Sequence, residues 1–122
     1  MNDTASDDLK TLQQKIVSFR DARDWKQFHN PKDMAISLML EAGELLEHFQ
    51  WKNDNEMSSH VNTNKEDVSD ELADVMYWVL LMANDLEIDL PKAMQSKLAK
   101  NNKKYPIDTA SGNHKKYTEL DK

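Results

Sequence analysis

The chain has 122 residues, a formal charge of −6 and a pI near 5.1. That is the length of one domain with a modest core, and the acidity argues against a binder of nucleic-acid polymers, which needs a basic face. There is no cysteine, which excludes disulfide frameworks, thiolate zinc sites and cysteine nucleophiles.

The first residues are polar and acidic rather than a targeting leader. The longest apolar run, Val75 to Ala83, is far shorter than the ~20 residues that span a bilayer. A soluble, cytoplasmic protein with no membrane partner is expected. Residues 1–6 read as frayed. Ser6 fits an N-cap, with Asp7 and Asp8 in the first turn, where the helix dipole favours acid. Leu9, Leu12, Ile16 and Phe19 recur at three and four, which predicts a helix to about Arg23. Polar residues fill its other side and carry no evident chemistry.

Asp24 to Asn30 breaks the pattern and leaves Trp25, Phe28 and His29 in a loop or short turn. Asn30-Pro31 is a good helix start, and a second helix is expected from Pro31 to about Gln50. Gly43 inside it costs about 1 kcal/mol against alanine. Close packing of a neighbouring helix is the first reason for it, and room for a ligand beside Glu44 is the second. Trp51 to Asn62 reads as a loop of about a dozen residues, a length often tied to function.

Thr63-Asn64-Lys65-Glu66 matches a capping box and predicts a third helix to about Asp85, with Val68, Leu72, Val75, Val79, Met82 and Leu86 as its core stripe. From Val75 to Ala83 this helix is apolar all round and should be enclosed on every side. One small subunit rarely encloses a helix completely, so a homo-oligomer is expected. Asp89 caps a fourth helix that Pro106 ends. Leu90, Met94 and Leu98 form one line on it, and Lys97, Asn101, Lys104 and Tyr105 a second. Residues 107–122 read as an irregular tail anchored by Tyr117. Strand alternation and internal repeats are absent. The chain is expected to be a single all-α domain over 1–122, close to a four-helix bundle.

The stretch Ser37 to Lys52 places acid where a core stripe belongs. Leu38, Glu41 and Leu45 project from one side of the second helix, with Glu44 one turn after Glu41. Glu71, flanked by Val68 and Val75, and then Asp74 repeat the arrangement on the third. Unpaired carboxylates among leucines and valines are costly. Packing the two helices together would make a four-carboxylate nest that needs a cation. Hard oxygen donors without sulfur suit Mg²⁺ or Mn²⁺. A structural ion-pair network is the other reading, since perturbed carboxylates occur in both. No glutamate has histidine three residues on, so a ferritin-type di-iron site is disfavoured, and no zinc-protease motif or Walker loop is present.

Mg²⁺ held by carboxylates commonly handles phosphates. Lys103, Lys104 and Tyr105 could then hold phosphate oxygens, or the lysines could simply match the helix dipole. Trp25 and Trp51 flank the second helix, and Trp78 stands one turn after Asp74. Such rings either plug a bundle or stack on a flat base.

Glu41-x-x-Glu44, a gap of 26 residues (45 to 70) and Glu71-x-x-Asp74 resemble the signature of the MazG-like all-α nucleoside triphosphate pyrophosphohydrolases. Further segments resemble that family's dCTP pyrophosphatase branch. They are Arg23-Asp24-Trp25-Lys26-Gln27-Phe28-His29, Phe49-Gln50-Trp51-Lys52, Asp89-Leu90-Pro91, Ser96-Lys97 with Asn101 to Pro106, and Lys116-Tyr117-Thr118-Glu119-Leu120. The resemblance covers about Leu9 to Leu120.

It implies Mg²⁺-dependent hydrolysis of a nucleoside triphosphate to the monophosphate and pyrophosphate. Glu41, Glu44, Glu71 and Asp74 would be the catalytic metal ligands, with Glu44 favoured to orient or deprotonate the attacking water. Trp25, His29 and Trp51 would line the base and sugar pocket. Lys97, Asn101 and Tyr105 would contact phosphates and sugar, and dimers or dimer-of-dimers tetramers would build the pockets. Ile16 stands where some relatives have a histidine, and Trp78 where tyrosine is usual. Both leave the choice among dCTP, modified dCTP and other deoxynucleotides open. A nucleotide sensor that does not cleave and a purely structural helical oligomer are the remaining alternatives.

Overall fold

Asp8 starts the first helix of the computed structural model, which describes residues 8–119. Its carboxylate accepts from the Thr11 amide at 2.8 Å, satisfying one of the open N–H groups of α1 (Leu9–Ala22). The expected cap, Ser6, lies outside the described residues with Asp7. A 3-10 turn (Lys26–Phe28) then leads to α2 (Pro31–Glu47). Asn30 caps α2 by accepting from the Asp33 amide at 2.9 Å, and Pro31 fills the first helical position, as its sequence implies. The helix stops short of Gln50. The chain turns through residues 48–50 and reaches Trp51 at a φ of 69°.

The expected loop at 51–62 is instead mostly helix, α3 (Asp54–Thr63). A reciprocal box starts it: the Asn53 side chain accepts from the Glu56 amide at 2.9 Å, and the Glu56 carboxylate accepts from the Asn53 amide at 3.0 Å. The box expected at Thr63–Glu66 does not form. The Thr63 hydroxyl donates back to the Ser59 carbonyl, and the Asn64 amide to the His60 carbonyl. With those side chains turned backward, α4 (Lys65–Asp85) begins without a side-chain cap.

Packed against α1, α2 and α3, α4 supplies most of the core: Val68, Leu80, Leu81 and Ala83, joined by Met34 of α2. Arg20 of α1 is fully buried beside them, with its guanidinium donating to Asp85 at 2.7 Å and to Asp21 at 3.1 Å. The core stripe expected on α4 fails in part. Leu72 is 54% exposed and Leu86 44%, so both leave the core stripe. Met76 is also exposed, so Val75–Ala83 is not enclosed on every side by this one chain. A Cβ at Gly43 would meet nothing within 4 Å, so no neighbouring helix of the same chain is what the glycine accommodates.

Glu87, at a φ of 56°, ends the first of two units, and residues from Ile88 onward form the second. The second unit carries α5 (Leu90–Lys104), capped by Asp89 on the Lys92 amide at 3.1 Å. The expected irregular tail holds α6 (Ile107–Ala110), started by Pro106, and a 3-10 turn at Tyr117–Glu119. The side chain of Tyr117, the expected anchor, lies outside the described residues, as does Leu120. The described residues are all-helical and contain no strand. None of their helices is long and apolar enough to cross a membrane.

Candidate metal centre and adjoining cavity

Direct packing of α2 on α4 brings the two acidic pairs face to face. Glu41, Glu44 and Glu71 each offer a carboxylate oxygen, and the three oxygens lie within 4.8 Å of one another. One oxygen of Glu41 and one of Glu71, Oε2 in each, are buried without a hydrogen-bond donor. Burial, then the proton shared with Glu44 and the charges of Glu44, Asp74 and Glu71, push the Glu41 carboxyl up to about 7. Glu71 is raised by burial, by Glu44 and by Asp74, with the His48 charge opposing. Asp74 does not join the three-way convergence. Its side chain is one methylene shorter than glutamate, and it stands at the rim.

That rim opens a cavity of about 560 Å³. The α1 face at i, i+3, i+4 and i+7 forms one wall with Leu12, Lys15, Ile16 and Phe19. Asp74, Tyr77 and Trp78 of α4 face it, with Trp25 and Glu41 completing the lining. The rings brace one another edge to face: Phe19 on Trp25 at 5.8 Å, Phe19 on Tyr77 at 6.3 Å and Tyr77 on Trp78 at 5.2 Å. The guanidinium of Arg23 covers Phe19 at 3.7 Å. The cavity is flat-walled and apolar at its back, and carboxylates stand at one edge.

A histidine pair adjoins the acids. His48 lies one turn beyond Glu44, and its Nδ1 is 2.8 Å from His60 Nε2. The Asn64 amide stands 3.3 Å from His60 Nδ1 and can only donate. His60 therefore accepts at Nδ1 and donates from Nε2, and His48 keeps its proton on Nε2. Burial, with the charges of Lys52 and His48, lowers the His60 pKa.

The MazG-like family model matches residues 36–120. The chain belongs to the MazG-like family. It is 37% identical over 114 residues to dCTP pyrophosphatase 1 of Mus musculus and equally so to that of Homo sapiens, which spans 92% of this chain and 67% of theirs. A crystal structure of a pyrophosphatase from Archaeoglobus fulgidus DSM 4304 superposes with a TM-score of 0.76 at 36% identity, covering 80% of this chain and 92% of that one. This MazG-like chain is an enzyme, a nucleoside triphosphate pyrophosphatase.

A divalent cation fits the carboxylate cluster of this MazG-like protein. The donors are all hard oxygens, two of them are buried with no partner, and burial together with neighbouring carboxylates holds the Glu41 and Glu71 carboxyls above their ordinary pKa. Bringing a cation there would relieve the last two conditions.

Of the aromatic residues singled out in the sequence, Trp25 and Trp78 line the cavity. His29 does not. It stands behind Trp78, ring to ring at 5.2 Å, and lines a separate cavity of about 250 Å³ with Asn30, Met34 and Asp85. Its Nδ1 is buried without a partner. Burial first, then the Arg20 charge, lowers its pKa against the opposing pull of Asp85. Trp51 is 92% exposed and is absent from the cavity wall. Lys97, Asn101 and Lys104 lie on α5, and Tyr105 follows it, all in the second unit; Asn101 is half-buried there and accepts the Tyr105 amide at its carbonyl. Sequence reasoning passed over Lys15, Phe19, Tyr77 and the His48–His60 pair. Phe19 could be found from its i+3 step after Ile16. The histidine pair could not, because it exists only when α3 folds.

Proposed function

We propose that the protein hydrolyses dCTP or a base-modified dCTP to the monophosphate and pyrophosphate, using Mg²⁺ with Mn²⁺ as a substitute. In this reading the chain acts as one domain, is a cytoplasmic homo-oligomer, and clears surplus or altered nucleotides from the pool. The observation that carries it is the pair of unpartnered carboxylate oxygens of Glu41 and Glu71, beside a 560 Å³ cavity walled by aromatic rings. A cation-hungry acidic edge next to flat apolar walls suits a ligand with a planar base at one end and phosphates at the other.

Glu41, Glu44, Glu71 and Asp74 would hold the cation. A bound divalent ion supplies charge neutralisation of the triphosphate and lowers the pKa of the attacking water. Glu44, the exposed member of the converging three, orients that water or takes its proton. Trp25 and Trp78 stack on the base. His29 acts through Trp78 by fixing the angle of its ring. Lys97, Asn101, Lys104 and Tyr105 contact phosphates and sugar as the departing pyrophosphate gains charge.

Two features support the oligomer. Met39 and Leu40 of α2 and Leu72 of α4 are each more than half exposed, and Gly43 faces open space on the same helix as the first two. Trp51, held out in left-handed backbone, serves the pocket of a neighbouring copy, in a dimer or a dimer of dimers.

One panel tests the reading: the common NTPs and dNTPs with 5-methyl-dCTP, in Mg²⁺, scored for pyrophosphate against orthophosphate. Pyrophosphate release, fastest from a cytosine deoxynucleotide, is expected. Orthophosphate as the product, or binding without any product, would overturn it.

A further inference from the structure

We propose that Lys15 is a further substrate-binding residue, contacting a phosphate oxygen of the nucleotide at the mouth of the aromatic cavity. The inference rests on the function proposed above and adds to it the one cationic side chain among the described residues of the cavity wall.

Charge is unevenly placed around this cavity. Among its described lining residues, six are apolar or aromatic, Glu41 and Asp74 are acidic, and Lys15 is the single cation. Lys15 and Asp74 are exposed, whereas Ile16, Tyr77 and Trp78 are half-buried. Phe19 and Trp25 are also partly exposed and Glu41 is half-buried, so Lys15 stands at an open part of the wall, and Ile16, Tyr77 and Trp78 form its deeper part. A ligand with one planar and one anionic end is oriented by that difference, with its base inward and its phosphates at the mouth. Lys15 meets the anionic end.

The residue type agrees with this. Lysine is a compact, hydrated point charge on a flexible stem, suited to phosphate and poorly suited to reading a base edge, which needs fixed directional donors. Its position on α1 between Leu12 and Ile16 lets the stem lie along the apolar wall and carries the charge to an exposed part of it. Electrostatics points the same way. Four carboxylates crowd the α2–α4 side, and a triphosphate brought beside them is repelled unless cations flank it. Lys15 is a cation fixed to the opposite wall, so it attracts the phosphates and not the acids' own counter-ion.

The test uses the full chain with Lys15→Met, Lys15→Arg and, as a control on the same helix but outside the cavity wall, Lys10→Met. Steady-state hydrolysis is measured with triphosphates of all four bases. Binding of an α,β-imido nucleotide with Mg²⁺ is measured by calorimetry. For Lys15→Met, KM and the calorimetric Kd should rise about tenfold, to a similar extent for every base, as expected for losing one charge-assisted contact at a partly wet site. Lys15→Arg should recover most of the loss, and Lys10→Met should match the parent.

Unchanged KM and Kd in Lys15→Met would overturn the assignment while leaving the proposed function intact. So would a loss confined to one base, which would make Lys15 a base contact. If the parent protein neither hydrolyses triphosphates nor binds the imido analogue, the proposed function itself fails and this inference with it. Melting of all three variants at the parental temperature shows that a change in KM is not a folding defect.

Discussion

Glu41 on α2 and Glu71 on α4 point a carboxylate oxygen at the same small space, within 4.8 Å of each other, and each has a buried oxygen, Oε2, that no donor reaches. Two like charges so placed oppose folding unless a proton or a cation stands between them. The fold tolerates them because α2 and α4 pack directly on one another, with Met34 of α2 and Val68, Leu80 and Leu81 of α4 buried in the core.

The first consequence is a pH-dependent stability of the metal-free protein. The Glu41 carboxyl sits at about 7 when folded, against 4.5 without the fold, and Glu71 is raised as well. For an acid raised by folding, the folded state binds more protons. Its stabilising share is complete below about pH 4.5 and is lost as pH climbs through about 7. Melting temperature in chelator should therefore fall between about pH 5 and pH 8. Added Mg²⁺ should raise it, and by more at the upper end, where no proton competes for the site. A metal-induced shift equal at both ends would contradict this.

Neutralising one acid separates stability from activity. Glu41→Gln removes like-charge repulsion, so the metal-free variant should melt higher than the parent at about pH 8. The same change removes a ligand, and turnover should drop by on the order of 10²-fold or more. Asp74→Asn, at the rim, should lose turnover with a smaller gain in stability. Calorimetry and pyrophosphate release on the same samples decide the point.

Arg20 anchors the end of α1 to the end of α4. Its side chain is fully buried, and Asp85, its partner at 2.7 Å, is 17% exposed. Arg20→Leu leaves that carboxylate without its cation and should cost about 3–5 kcal/mol by denaturant titration. The double variant with Asp85→Leu should recover much of the loss. Burial alone would raise the Asp85 carboxyl, but the Arg20 hydrogen bond and charge, helped by Asn84, hold it below its usual value. That depressed pKa makes the pair's contribution complete above the ordinary carboxylate range, and acid removes it as pH falls below about 4.

Trp51 combines a left-handed backbone with near-complete exposure. A bulky residue there costs about 1–3 kcal/mol of backbone strain, which glycine would not. Trp51→Gly should therefore stabilise the single chain or leave it unchanged. If the ring serves a neighbouring copy, the same variant should raise KM for the nucleotide. Lowered stability with unaltered KM would contradict both expectations.

The acidic signature was legible because helical spacing is strict. Glutamates three apart, set into a run of leucines, have one face to occupy, and the facing pair on α4 follows from the same rule. The segment 53–64 was not legible. It lacks an apolar period, and its starting signal at Asn53 and Glu56 competes with a better-looking one at Thr63–Glu66 whose side chains turn backward in the fold. The cavity was half legible. Trp25, Ile16 and Trp78 stood out as residue types, but Leu12 and Phe19 read as ordinary core. Lys15 read as solvated surface, because a lysine set among apolar positions looks the same in sequence whether water or a ligand meets it.

The three tryptophans occupy three distinct surroundings: Trp51 in water, Trp25 against Phe19, and Trp78 edge-on to His29. Intrinsic fluorescence therefore comes already sorted by location. With Trp51 replaced by phenylalanine, the remaining emission would report the cavity alone, and quenching of Trp78 by a protonated His29 would set in only well on the acid side of neutrality, because folding lowers that imidazole's pKa.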